Sequence, residues 1–510
     1  MLFGTWAQRR LPKEALLSTD PNPSTLEHDP TAMPLAVGGQ PREQSALSGN
    51  MGTWGLAFTT LAYNAPIAIV TGYVTVVVAY GNGVGAPWTY VVVAVIALLF
   101  AVGFTAFARH LPRPGGFYAL ITAGLGKHLG LGVGYLATAQ YFAICAGGLS
   151  FLGFATASLV SSWGGPPAPW WVYSIVFLIF FGVLGYVRLE LSTRLLTVFL
   201  IAEVILVVVY DVVVLSQGGE SGLTSAPFLA ENIFSGSIGL ALLFGMLSLS
   251  GFEASVIFRE EVKDPDKTIP RAVYMQIIVI GVLYTVSAYA FIVALGPDNV
   301  VAAAQANPLG AFLDSAEMYL GVIGRDLFNI LTVTSLFAGL LAGYNTISRY
   351  LYNLGHDGIL PRALASVHAV QRSPHRASIV TGVILLGTQV LLAFFGGAAE
   401  FIYPQVSGAG GYALLVMLAL VTIAAIVFLN RTRPEGVTAW HRLIAPILAL
   451  VGLSISIVLA TINIDQMITA GPIVVAICLG VVYGLVVLGI IMASVYKRKR
   501  PDVYARIGRE

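Results

Sequence analysis

Two stretches decide the reading of this chain. Asn64-Ala65-Pro66 and then Thr71-Gly72 interrupt the apolar run 53–79, and Gly245 and then Ser248-Leu249-Ser250-Gly251 interrupt the run 236–259. Proline removes a backbone donor and clashes with the preceding turn, and glycine relaxes the backbone, so neither belongs in a continuous helix facing lipid. The two runs are the first and sixth of twelve such runs, five apart, so the breaks fall at matching places in two successive halves. Interrupted helices so placed point to inverted repeats around a midplane site built from unwound backbone. Two ordinary kinks, common in membrane helices, are the competing reading.

Composition supports the membrane setting. The chain has 510 residues, 57% of them hydrophobic and only 10% charged, where soluble domains carry about 25% charged residues. Windows such as 90–104, 172–187 and 473–495 are almost uncharged, at or near the ~20 residues needed to cross a ~30 Å hydrocarbon core. The twelve runs lie near 53–79, 87–108, 128–160, 169–187, 191–216, 236–259, 269–295, 322–350, 377–397, 402–429, 441–463 and 471–496. With that count, all 27 Lys and Arg residues except Arg325 fall on one side. The positive-inside rule makes that side cytoplasmic, with both termini inside the cytoplasmic (inner) membrane of the cell. The sequence therefore predicts an all-α polytopic membrane protein with twelve transmembrane helices. Its parts are a disordered cytoplasmic tail (1–50), a ten-helix core (51–430, repeats about 51–216 and 236–430), two peripheral helices (431–496) and a basic cytoplasmic tail (497–510).

Several classes are excluded. A net charge of +2 gives no concentrated basic face for nucleic acid. Cys145 and Cys478 both lie in apolar runs, and the seven histidines never show H-x-x-x-H spacing, so neither a disulfide framework nor a metal site is expected. No cofactor is called for. The first fifty residues lack the apolar stretch and cleavage site of a secretory signal.

Three further motifs lie in the basic joins. The first is Pro112-Arg-Pro-Gly115-Gly116-Phe117-Tyr118 with Gly124-Leu-Gly126. The second is Gly251-Phe252-Glu253-Ala254 with Glu260-Glu261-Val-Lys-Asp-Pro265 and Ile269-Pro270-Arg271-Ala272. The third is Ser348-Arg349-Tyr-Leu-Tyr with Asp357-Gly358-Ile-Leu-Pro361-Arg362. Together they resemble the amino acid–polyamine–organocation permeases, over everything except the first fifty residues. The resemblance implies the leucine-transporter fold: ten helices in two inverted five-helix repeats, broken at the first and sixth, plus two peripheral helices. There are two departures. The family's first break usually reads G-x-G, where this chain has Val70-Thr71-Gly72, and His356 stands where an arginine usually precedes Asp-Gly.

A transported amino acid brings an ammonium and a carboxylate into a low-dielectric interior, where an unpaired charge is costly. Freed N–H groups at a half-helix N-terminus suit the carboxylate, and freed carbonyls at a half-helix C-terminus suit the ammonium. By resemblance, Thr71 and Gly72 offer amides to the carboxylate, and carbonyls of Ala68, Ile69, Leu247, Ser248 and Ser250 receive the amine beside Gly251. Back-bonding of Thr71 and the serines to their own helices is the alternative. Glu203 stands alone in the apolar run 197–209, and a carboxylate at a helix centre is costly enough to be functional by default. By resemblance, Glu203 falls where several proton-coupled members carry a lysine, in the space of a sodium site between spans 1, 5 and 8 of sodium-coupled relatives; it can carry a proton, bind a cation such as sodium with Thr332 or Ser335 of span 8, or make a structural hydrogen bond. Glu253 is expected to support its broken helix more than to touch cargo. Lys497-Arg-Lys-Arg500 is expected to meet anionic lipid.

The expected activity is secondary transport of an amino acid by alternating access, with proton-coupled uptake favoured. An exchanger of amino acid for amine or polyamine is the alternative. A membrane-embedded enzyme is remote because no histidine lies in the core of a run, and a channel would more naturally show a charged ring or a carbonyl filter.

Overall fold

The computed structural model describes residues 51–111, 116–186, 193–368, 373–395, 397–467 and 471–508. The tail 1–50, Gly115 of the first motif and Arg372 lie outside the described residues. All regular structure among the described residues is helical, apart from one isolated bridge between Met51 and Val262. Among the described residues, ten helices are long and apolar enough to cross a membrane, or eleven when Thr53–Leu61 and Pro66–Tyr80, bent by 43°, count as one span. The apolar helix Trp170–Tyr186 is shorter, at 17 residues. The apolar helices and the apolar runs overlap along the described residues.

Helices satisfy backbone polar groups within the segment, which a hydrocarbon solvent demands. Their outward faces carry large apolar side chains, such as Ile179 (61% exposed) and Phe394 (79%). Water would penalise a belt of that kind, and acyl chains accept it. The molecule is a multi-pass membrane protein.

The first broken span consists of α1 (Thr53–Asn64) and α2 (Pro66–Tyr80). There follow α3 (Ala86–Arg109), the short α4 (Phe117–Leu125), α5 (Lys127–Ser162), α6 (Trp170–Tyr186) and α7 (Thr193–Gln217). The second broken span is α8 (Ile238–Leu249) and the 3-10 helix Phe252–Glu260. Next come α9 (Pro265–Leu295), α10 (Ala311–His356), α11 (His375–Phe395) and α12 (Ala399–Thr432). The chain ends in α13 (Ala445–Ile462), α14 (Pro472–Lys499) and α15 (Pro501–Arg506). Within α10 the backbone breaks at Gly321 (φ 69°), immediately before the run that begins at 322.

Around the two breaks, α7 packs on α1, α2, α9 and α10, and α5 packs on α10 and α12. The peripheral α14 buries only a narrow stripe, Val482, Gly489, Ala493 and Tyr496. It can touch α5 because a Cβ on Gly489 would lie 2.3 Å from the Gly132 Cα; two glycines let the backbones cross.

The C-terminal segment combines the basic run with an end packed on the bundle. Lys497 to Arg500 are exposed, but Val503 and Ile507 are buried against Tyr118, Leu131, Leu354 and Ile359. Lys127 Nζ donates to the carbonyls of Tyr504 (2.9 Å) and Ala505 (2.7 Å), a cation placed at the C-terminal end of α15. Apolar spacing at Val503 and Ile507, one turn apart, outweighs the charge run before it.

Candidate functional site

The break in the first span falls at Ala65, which adopts a left-handed conformation (φ 55°, ψ 63°) ahead of Pro66. Proline at the first helical position needs no donor, so α2 starts there. Its next amide, Ile67 N–H, donates to Glu203 Oε2 at 3.4 Å, and Ser335 Oγ donates to the same oxygen at 2.9 Å. Glu203 is only 3% exposed. A carboxyl group from α7 thus sits at the electropositive start of a half-helix, steadied by α10. Beside it lies a cavity of about 230 Å³ between α6, α7 and α10, walled by Phe177, Leu200, Val333 and Phe337.

The second break falls at Ser250 and Gly251. Ser250 is extended (ψ 163°) and Gly251 takes φ 106°, a left-handed value that favours glycine. Gly251 N–H donates to Glu253 Oε2 at 2.7 Å, so Glu253 caps its own half-helix. The carbonyls freed at the end of α8 are taken by a side chain from the other break. Asn64 Nδ2 donates to Ser248 O (2.9 Å) and Ser250 O (2.5 Å), and Tyr284 on α9 donates to Asn64 Oδ1 (2.5 Å).

Other residues singled out in the sequence lie along the two broken spans. Thr71 and Gly72 are inside a π-helical turn, Ile69–Val74, so their amides are not at a free N-terminus; that place belongs to Ile67. Ile69 N–H donates to Ala65 O at 3.1 Å, which puts Ile69, like Ala68, in the ladder of α2. Thr71 back-bonds to Ile67 O (2.9 Å) and its hydroxyl lies 3.3 Å from that of Thr332, so Thr332 faces Thr71 while Ser335 holds Glu203. Leu247 O accepts from Ser250 N–H (3.2 Å) and Oγ (2.7 Å), and Ser248 Oγ back-bonds to Phe244 O (2.7 Å). Gly72 serves close approach: a Cβ there would lie 2.8 Å from Phe151 Cε1 and 3.3 Å from the Tyr403 ring. Tyr73 and Phe151 stack or tilt on Tyr403 at 5.0 and 4.8 Å between centroids. Asn64, Ile67 and Tyr284 carry much of this geometry and were not singled out as site residues; Asn64 beside Pro66 was the available signal.

The motifs of the basic joins converge at one end of the bundle. Tyr118 OH donates to Asp357 Oδ2 at 3.0 Å and accepts from Gly508 N–H at 2.9 Å, joining the first motif, the third motif and the C-terminal segment. Burial holds the Asp357 carboxyl above the usual carboxylate range, and the Tyr118 bond opposes this. Gly116 lies under Tyr350, whose hydroxyl would be 2.6 Å from an added Cβ. Arg109 at the end of α3 donates to Asp266 O (2.7 Å), and Arg259 pairs with the Asp266 carboxylate (3.1 Å). Met51 N–H donates to Glu261 O (3.1 Å), which ties the start of α1 to the second motif. Pro265 opens α9 after left-handed Asp264, and Arg349 lies on α10. The Glu260 side chain lies outside the described residues.

Comparison with known proteins agrees with this architecture. A family model described as amino acid permease matches residues 51–486. An uncharacterized transporter of Mycobacterium tuberculosis is 27% identical over 378 residues, covering 73% of this chain and 78% of the relative. The low-affinity putrescine importer PlaP of Escherichia coli is 24% identical over 313 residues, 58% of this chain and 64% of the importer. The branched-chain amino acid permease BcaP of Bacillus subtilis is 24% identical over 330 residues, 61% of this chain and 68% of the permease.

Proposed function

The chain belongs to the amino acid permease family, and from that premise we propose a secondary transporter that takes up an amino acid, or a related amine, together with a proton. The reading includes twelve spans in the leucine-transporter arrangement, with both termini and the three motifs on the cytoplasmic side. The observation that carries it is the Glu203 carboxyl group on Ile67 N–H.

A substrate carboxylate and an ionised Glu203 compete for one half-helix N-terminus. Two carboxylates cannot share it without strong repulsion in a low-dielectric interior. Protonation of Glu203 cancels its charge and leaves Ile67 N–H and the helix dipole to the substrate. Binding of the carboxylate is therefore linked to uptake of one proton. On the inner side the proton leaves, Glu203 returns to Ile67, and the carboxylate is displaced. The substrate ammonium takes the carbonyls of Ser248 and Ser250 in place of the Asn64 amide, beside Gly251 and Leu247. Thr71, Gly72, Ala68 and Ile69 then shape the pocket wall instead of offering free backbone.

Uptake into proteoliposomes under separately imposed pH and sodium gradients tests this reading. An inside-alkaline pH gradient should drive accumulation without sodium. Accumulation with sodium alone would assign Glu203 and Ser335 to a cation, and uptake only into preloaded vesicles would mark an exchanger.

A further inference from the structure

A second carboxyl group is buried in the same helix. Asp211 on α7 is 3% exposed, eight residues beyond Glu203 and so about 12 Å further along the axis, toward the end at Gln217 that faces away from the basic joins. Ser287 Oγ on α9 donates to Asp211 Oδ2 at 2.9 Å, and Oδ1 has no hydrogen-bond partner among the described residues.

The groups around Asp211 do not neutralise it. On its own helix, Tyr210 is bonded to Ser315 at 2.5 Å. From the part of α9 near Ser287 the titratable side chains are Tyr284, bonded to Asn64, and Tyr289, bonded to Thr224 O; Asp266, Lys267, Arg271 and Tyr274 lie at the other end of that helix. From the first part of α10, around Ser315, they are Tyr319, whose hydroxyl donates to Ala294 O, and the charged set Asp314, Glu317, Arg325 and Asp326; there Arg325 pairs with Glu317 and Asp326, and Asn307 donates to Asp314. The described side chains of α1 and α2 add only Tyr73 and Tyr80. Asp211 is in none of the ion pairs formed among the described residues.

A purely structural bond to Ser287 needs one oxygen and no ionisable group. A carboxyl with one buried, unpartnered oxygen is expensive when charged and is tolerated when neutral. Its one partner lies on the helix that reaches the breaks: Tyr284, one turn from Ser287 on α9, holds the asparagine that bridges both broken spans. Loss of a proton from Asp211 therefore acts on the contact between α7 and α9, and through α9 on Asn64.

We propose that Asp211 is a second proton-binding site of the transport cycle, so that each substrate moves with two protons, one on Glu203 and one on Asp211. The proposal rests on the proton-coupled reading of Glu203.

The test uses the full chain in proteoliposomes, with the membrane potential clamped at zero and a radiolabelled mixture of the proteinogenic amino acids as probe. With two protons, accumulation should reach about a hundredfold per unit of pH gradient, and with one about tenfold. Wild type should follow the first relation and Asp211→Asn the second, while unchanged exchange without a gradient reports a folded variant. Wild-type behaviour of Asp211→Asn overturns the proposal and leaves Asp211 a packing residue. If the variant does not fold, the wild type alone decides: currents giving one charge per zwitterionic substrate also overturn it. Glu203→Gln run in parallel separates the two ideas. A loss with Glu203→Gln and none with Asp211→Asn removes only Asp211. No response of wild type to the pH gradient removes the underlying reading as well.

Discussion

The amide nitrogen of Asn64 lies 2.5 Å from the carbonyl oxygen of Ser250, so the two helix breaks are bonded directly to each other. The same amide reaches Ser248 O at 2.9 Å. Carbonyls freed at the end of α8 are in this way paired by the chain itself, so in the proposed cycle a substrate amine would replace a neutral donor that already sits there.

Replacing Asn64 with Ala should leave two buried carbonyls and the Tyr284 hydroxyl without their partner. Each unpaired group costs about 1–3 kcal/mol, so the variant should unfold at lower temperature. If Asn64 stands in for an ammonium, a bound amino acid should recover part of that loss and raise the unfolding temperature more in Asn64→Ala than in wild type. Equal ligand-induced shifts would remove the amine from these carbonyls.

Gly251 and Gly72 should respond differently to alanine. Gly251 has φ 106° and open space, with the nearest atoms about 3.9 Å from an added Cβ. Gly251→Ala should therefore cost about 1–2 kcal/mol of backbone strain whatever surrounds it. Gly72 is helical and confined by Phe151 and Tyr403. Gly72→Ala should impair transport through steric pressure, and trimming Phe151 to Leu in the same chain should restore it. Failure of that rescue, read by uptake rates, would mean that Gly72 matters for its backbone.

At the other end of the bundle, Asp357 should make stability depend on pH. Its carboxyl is held above the ordinary range chiefly by burial. A raised folded value means the folded chain binds the proton more tightly than the unfolded one. The associated stability is complete below the unfolded value and fades as pH rises through the folded one. Asp357→Asn keeps an acceptor for Tyr118 and should lose this dependence. Thermal unfolding followed from acidic to neutral pH checks the sign: a wild-type chain no less stable at neutral pH, relative to the variant, contradicts it.

How much of this was legible in the sequence depends on the range of the interaction. Apolar length and glycine at 251 act locally, so the helices and the second break were readable. The first break was read partly at Gly72, because glycine permits unwinding, yet Pro66 fixes it at Ala65 and Gly72 answers to Phe151 and Tyr403 instead. Glu203 was conspicuous as a carboxyl in an apolar run, and Ser335 was reachable only through the family resemblance that brings spans 5 and 8 together. Asn64 could not be read as a bridge, since its partners lie some 180 residues away. Asp211 escaped notice because it sits just beyond the apolar run that made Glu203 stand out.

Glu203→Gln addresses the coupling step itself. Glutamine keeps an acceptor for Ile67 N–H and Ser335 Oγ but carries no charge at any pH, so the bonds and shape at the start of α2 are largely retained. In wild type, substrate affinity should tighten by about tenfold for each unit of pH lowered while Glu203 is ionised, because binding takes up its proton. The variant should lose one proton's worth of that slope and bind at high pH as wild type binds at low pH. Accumulation driven by a pH gradient should fall by about tenfold per pH unit, while exchange at equilibrium survives. Binding titrations across pH, with uptake measured alongside, decide the matter. A glutamine variant that keeps the wild-type slope would show that Glu203 only holds α2 against α10, and the proton would have to be sought on another group.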